Sequence, residues 1–205
     1  MKLFVTGTSP YALLVMIVRL EKGLQEVVEL VWTKTRNSSD PSLVFNPSGR
    51  IPFLLLGDGV GFEDTDVIID YFDNLSAPSR YVAPSGEAYW PFRRAQATAR
   101  SMLDGVSVWA REIVRPEDEQ SLQIIEHERL RAERLADYFE NAVVVPPLAL
   151  EPEKASLNIP QLILFCALDT ERRNPQFDWR STRPALCHWH EIMISNPSVR
   201  NALPK

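Results

Sequence analysis

"KLFVTGTSPYALLVMIVRLEKG", residues 2–23, is the stretch from which the rest of the fold can be read. Lys2–Val5 is a short run with the apolar Leu3-Phe4-Val5, the pattern of a buried strand. After a tight turn, Ser9 and Pro10 open an apolar segment that continues to Gly23. A serine before a helix can accept a hydrogen bond from a first-turn N–H. Proline fits the first helical position because its φ is already set and it has no N–H to lose. Gly23 then closes the helix, since a left-handed residue there costs glycine nothing. Strand, turn and helix follow directly.

Outward from that unit, Val27–Trp32 is a second β-rich run and Pro52-Phe-Leu-Leu-Leu a third. "GDG" at 57–59 separates the third from Val60-Gly61-Phe62 and signals a hairpin. "DTDVIIDYFDNL" (64–75) places apolar residues at 67, 68, 71, 72 and 75, which is helical spacing. The order is βαβ, an irregular stretch, then ββα. "SAPSRYVAPSGEA" (76–88) changes the texture to that of a linker. Beyond it the patterns are helical, over 89–115, 117–144 with a break or start at Pro116, about 157–170, and a last pair within 184–203. The expectation is an α/β domain over 1–76, a linker over 77–87, and an all-helical domain over 88–205.

Composition narrows the function classes. A net charge of −5 and a pI near 5.3 argue against a nucleic-acid footprint, which needs a basic face. The apolar run Tyr11–Val18 ends at Arg19, too short to span a bilayer, and no secretory leader pattern opens the sequence. Cys166 and Cys187 have no metal or redox spacing. His188 and His190, two apart on a helix, point to different faces, so no metal centre is expected. A cytoplasmic protein is the expectation.

Many redox proteins place Cys-Pro-x-Cys at a strand–helix junction like the first one. Here the first position is a hydroxyl, Ser9, and the fourth, Ala12, is inert. Four segments in order resemble the glutathione S-transferase superfamily: "TSPY" (8–11), "NPSGRIPFLLL" (46–56), "EDTDVIIDYFD" (63–73) and "FDWRSTRPALCHWHEIMISNPSVRNAL" (177–203). The similarity is greatest to bacterial members with serine in the "SPY" position. It implies a thioredoxin-like α/β domain followed by an all-α helical bundle, glutathione as co-substrate without a metal, and a homodimer with neither nucleic acid nor membrane as partner.

The resemblance also implies roles. Ser9 would donate its O–H to the glutathione sulfur, with the helix dipole favouring the anion. Together these contribute about 2–4 kcal/mol, or roughly 1.5–3 pKa units. Cysteine there would form a mixed disulfide; serine favours conjugation. Ile51 would hold the cysteinyl unit through its backbone, before a cis Pro52. Arg50 and, with a weaker claim, Lys34 would face glutathione carboxylates. Asp64 and Thr65 would take the γ-glutamyl end, with Glu63 as the off-by-one alternative to Asp64. Each has a plainer reading beside it: Ser9 and Thr65 as caps, Pro52 as a strand-initiating proline, Arg50 as a solvated cation. Tyr11 is read as packing or substrate wall. Met102, Val106 and Trp109 are either the electrophile pocket or core.

The function implied is transfer of glutathione to a small hydrophobic electrophile. The alternatives are glutathione-dependent reduction of disulfides or peroxides, and a non-catalytic binding module. Two departures from the family pattern stand out. Leu13-Leu14 occupies a place often basic, which makes the site mouth less positive or means that the helix is buried by a partner. Ala155 and Asn158 replace a Ser/Thr-x-x-Asp capping signal, which predicts a weakened cap.

Overall fold

A computed structural model describes residues 1–34, 38–150 and 157–203 of the chain, and Ala155 lies outside the described residues. The chain divides into two compact units: Met1–Val82 together with Pro197–Lys205, and Ala83–Asn196.

The first unit is built on four strands, β1 (Lys2–Val5), β2 (Glu29–Trp32), β3 (Phe53–Leu55) and β4 (Gly61–Glu63). Their order in the sheet is β2-β1-β3-β4. β1 runs parallel to β2, pairing Val5 with Trp32, and antiparallel to β3, pairing Phe4 with Phe53. β3 and β4 form an antiparallel hairpin with Phe53 opposite Glu63. Gly61 is required in that hairpin: a Cβ there would stand 2.3 Å from Cζ of Phe53. Helix α1 (Pro10–Glu21) follows β1, and α2 (Thr65–Leu75) follows β4. The βαβ-ββα order is the one read from the sequence.

α1 buries Pro10 and every residue from Ala12 to Val18, as a helix that is apolar nearly all round must. Leu13 and Leu14 belong to that buried surface. The helix packs against α2 and against α7 (Pro197–Ala202), the last helix of the chain. Gly23, with φ 65°, ends it in the expected left-handed conformation. Beside it lies an ion pair that the sequence did not announce. Lys22 Nζ donates to Asp73 Oδ1 at 2.9 Å and to the carbonyls of Asp73, Ser76 and Pro78. Asp73 in turn accepts from the Ser79 hydroxyl and from the N–H groups of Arg80 and Tyr81. Burial pushes the Asp73 carboxyl up, but the bonds from Ser79, Lys22, Arg80 and Tyr81 outweigh it and hold it below the ordinary value. The ends of α1 and α2 and the segment that follows are tied at one point.

The second unit is helical: α3 (Tyr89–Glu112), α4 (Leu122–Ala142), α5 (Ile159–Leu168) and α6 (Pro184–Ser195). All ten residues of α5 are buried, and α3 packs along it and along α4. Cys166 is a core residue of this helix. α4 starts later than its pattern suggests. A 3-10 turn, Glu117–Glu119, comes first, and the helix opens at Leu122 with Ser121 accepting from Ile124 N–H. Residues 117–121 of the pattern therefore precede the helix. α5 corrects a second expectation. Asn158 is a full N-cap: its side chain accepts from Gln161 N–H at 3.0 Å, and Gln161 Oε1 accepts from Asn158 N–H at 2.9 Å. The reciprocal capping box starts at Asn158, three residues beyond the place given to it in the sequence.

Candidate functional site

Strand directions decide what meets what. Because β2 is parallel to β1 and β3 antiparallel, the C-terminal ends of β1 and β2 lie at the same end of the sheet as the N-terminal end of β3. β4 reverses once more, so its C-terminal end joins them. Four separate segments are thereby gathered at one sheet end: Thr6–Ser9 after β1, Thr33-Lys34 after β2, Arg50–Pro52 before β3, and Asp64-Thr65 after β4. These carry the sequence-predicted residues Ser9, Lys34, Arg50, Ile51, Pro52, Asp64 and Thr65. The helices α1 and α2 also begin at this end, so the positive ends of both dipoles lie there.

Ser9 is the N-cap of α1 in extended backbone, with φ −89° and ψ 116°. Its Oγ accepts the Ala12 N–H at 3.2 Å. No acidic residue stands in the first turn of α1 to offset the dipole. A hydroxyl that accepts in this way keeps its own proton for a second partner. Cap and donor are compatible in one side chain.

Asp64 caps α2, accepting Asp66 N–H at Oδ1 (2.9 Å). Its φ is +73°, the only positive value at a non-glycine position among the described residues. Backbone held in such a region costs of order 1–3 kcal/mol and concentrates at functional sites. Thr65, the first helical residue, is buried, whereas Asp64 is exposed. Glu63, the neighbouring acid, is engaged differently: its carboxylate accepts the Ser48 hydroxyl proton.

The bond between Ile51 and Pro52 is cis. The loop before it is fixed by Asn46, 1% exposed, whose Nδ2 donates to Arg50 carbonyl at 2.8 Å. Ser48 Oγ lies 3.1 Å from Asn46 Oδ1 and accepts Arg50 N–H at 3.1 Å. With its bond to Glu63, Ser48 fastens this loop to β4. The side chains of Arg50 and Lys34 are exposed. Near Lys34, Thr33 Oγ1 donates to Asp40 Oδ2 at 2.5 Å, and Asp40 Oδ1 accepts from Ser42 Oγ and N–H. Those bonds, the Ser42 hydroxyl first, hold the Asp40 carboxyl below its ordinary value. Sequence reasoning passed over Asn46, Ser48 and Asp40; the Asn-Pro and Asp-Pro pairs that start these turns were the available signal.

Tyr11, in the first turn of α1, is half-buried. Met102, Val106 and Trp109 are 0–1% exposed within the helical unit. His188 is exposed and His190 buried, on different faces as expected, and among the described residues no group of His, Cys, Asp or Glu has the arrangement of a metal site. No described helix is long and apolar enough to cross a membrane.

A two-unit chain with a thioredoxin-like βαβ-ββα unit, a cis X-Pro at the sheet end and a helical unit defines a class. Residues 8–75 match the family model for the glutathione S-transferase N-terminal domain. The chain is 26% identical, over its whole length and 98% of the relative's, to the uncharacterised GST-like protein YibF of Escherichia coli K12. Among solved structures it resembles a glutathione S-transferase from Methylobacillus flagellatus with glutathione bound. That likeness has a TM-score of 0.84 and 28% identity, and covers 100% of this chain and 99% of the other. It also resembles a glutathione transferase family member from Pseudomonas fluorescens Pf-5 with bound S-(propanoic acid)-glutathione, with a TM-score of 0.79, 26% identity and full coverage of both chains. Residues 8–75 thus match a glutathione S-transferase N-terminal domain, and over its whole length the chain is similar to proteins of that superfamily.

Proposed function

We propose that the chain is a glutathione transferase in which Ser9 steadies the glutathione thiolate for attack on a small hydrophobic electrophile. The observation that carries this reading is the meeting, at one sheet end, of two helix N-termini. One is capped by Ser9 and the other by the backbone-strained Asp64, with the cis Ile51–Pro52 bond in the same cluster. Glutathione is a matching ligand: it carries a sulfur that must become an anion, a peptide backbone, and carboxylates at both ends. Ser9 O–H and the α1 dipole favour the thiolate. Ile51 offers backbone N–H and C=O to the cysteinyl unit. Asp64 pairs with the γ-glutamyl ammonium, and Thr65 with the α2 N-terminus receives its carboxylate. Arg50 and Lys34 supply cations for the glycyl end. Tyr11 contributes to the wall beside the sulfur.

The thiolate then forms a carbon–sulfur bond at the electrophile while the leaving group departs with its electron pair. The first unit contains no cysteine, since the two in the chain are Cys166 and Cys187, which favours conjugation over exchange through a protein thiol. Glutathione bound in the relatives named above supports the ligand class. A homodimer in the cytoplasm belongs to the same proposal, and sedimentation of the purified protein tests the dimer. Calorimetric titration with glutathione tests the ligand. Saturable binding in the micromolar to millimolar range, weakened at least tenfold by Thr65→Val, is expected; no binding at millimolar glutathione overturns the reading.

A further inference from the structure

Trp32 ends β2, opposite Val5 in the sheet, and the residue is 60% exposed. Single exposed apolar residues are ordinary on protein surfaces. What distinguishes this one is its position. The ring atom Cζ3 lies 3.9 Å from the point where a Cβ would stand on Gly7. That places the benzo edge of the indole beside the Thr6–Ser9 turn, which Ser9 N–H closes onto the Thr6 carbonyl at 3.5 Å. Gly7 presents only backbone to the ring. Gly7 stands two residues before Ser9 in the same turn, and Trp32 as a whole remains largely open to solvent.

We infer that Trp32 is a specificity-determining residue, its open indole face being a platform for a planar aromatic group on the sulfur of the bound ligand. This rests on the glutathione reading above. An indole is the largest and most electron-rich π surface among the side chains, and it favours offset or edge contact with another ring. An electron-poor arene attached to, or attacked by, the sulfur at Ser9 gains such a contact. A small alkyl group gains little, because it lacks the matching face.

The test uses equilibrium binding, so that it does not depend on turnover. The full chain, Trp32→Ala and Trp32→Phe are titrated with glutathione, S-methylglutathione and S-(2,4-dinitrophenyl)glutathione. Trp32→Ala is expected to bind the first two within about twofold of the parent and the aryl conjugate about tenfold more weakly, the size of one aromatic contact. Trp32→Phe is expected to recover most of that loss. Equal weakening toward all three ligands, or no change toward the aryl conjugate, overturns the role of Trp32 and leaves the glutathione site standing. If the parent chain binds none of the three, the glutathione reading fails and this inference with it.

Discussion

Ser9 Oγ lies 3.2 Å from the amide nitrogen of Ala12 and accepts its N–H, so the residue assigned to the ligand's sulfur is also the cap of the helix that follows. The two roles separate by measurement. Removing the hydroxyl in Ser9→Ala takes away a cap worth about 1 kcal/mol, within the usual range of about 0.5–2. A loss of that size is expected in urea unfolding, with glutathione affinity at about pH 5, where the bound sulfur is largely protonated in both chains, changed by less than about threefold, because the peptide contacts remain.

Asp64 holds φ +73° and accepts Asp66 N–H through one carboxylate oxygen. Asparagine keeps the acceptor, tolerates positive φ and removes the charge. Asp64→Asn is therefore expected to fold with stability within about 0.5 kcal/mol of the parent. Its affinity for glutathione should fall about 10-fold or more, the size of a charge-assisted bond. Unchanged affinity by calorimetry would remove Asp64 from the site.

Lys22 and Asp73 have side chains 2% and 3% exposed. Breaking a buried pair leaves an uncompensated charge at a cost of about 3–5 kcal/mol, while replacing both partners is often close to neutral. Lys22→Met is expected to lower stability by that amount, and Lys22→Met with Asp73→Leu to regain part of it. Glutathione affinity of the folded single variant should match the parent, since the pair lies at the far ends of α1 and α2 from Ser9 and Asp64. Denaturant unfolding and calorimetry check the two halves.

His190 is buried, stacked on Phe165 at 5.0 Å, with Nδ1 3.2 Å from an Arg180 guanidinium nitrogen that can only donate. Burial first, then the charges of Arg180 and Arg172, bring its pKa down to about 3 from 6.5. Between those values the unfolded chain binds a proton that the folded chain does not, so stability falls as pH drops below about 6.5. At pH 5 the loss from this group is about 2 kcal/mol, from 1.36 kcal/mol per unit. His190→Asn is expected to flatten the stability profile between pH 7 and pH 5. A profile as steep as the parent's would assign the slope to other groups.

Local signals were the legible ones. Ser9-Pro10 and Gly23 mark the ends of α1 because caps are decided within a few residues, and the hairpin around "GDG" is equally local. The gathering of four segments at one sheet end followed from the resemblance, and strand direction supplies its physical reason. Contacts across long sequence separations were not legible. Lys22 and Asp73 stand 51 residues apart, and nothing near either announces the other. Glu140, which accepts from the N–H groups of Ala185 and Leu186, caps α6 from 45 and 46 residues away. The family's capping motif falls at positions 155 and 158 and predicts a weakened cap there, although Asn158 and Gln161 carry a capping box of their own. Met102, Val106 and Trp109 share periodicity with both a core face and a pocket wall, so periodicity alone does not choose between the two.

The central claim concerns a proton. Ultraviolet absorbance of the thiolate, followed against pH with glutathione saturating the protein, reports the ionisation of the bound sulfur. The account predicts a thiol pKa about 1.5–3 units below that of free glutathione in the parent chain, returning most of the way in Ser9→Ala. A bound thiol that ionises like the free one, or one equally acidic without the Ser9 hydroxyl, contradicts it.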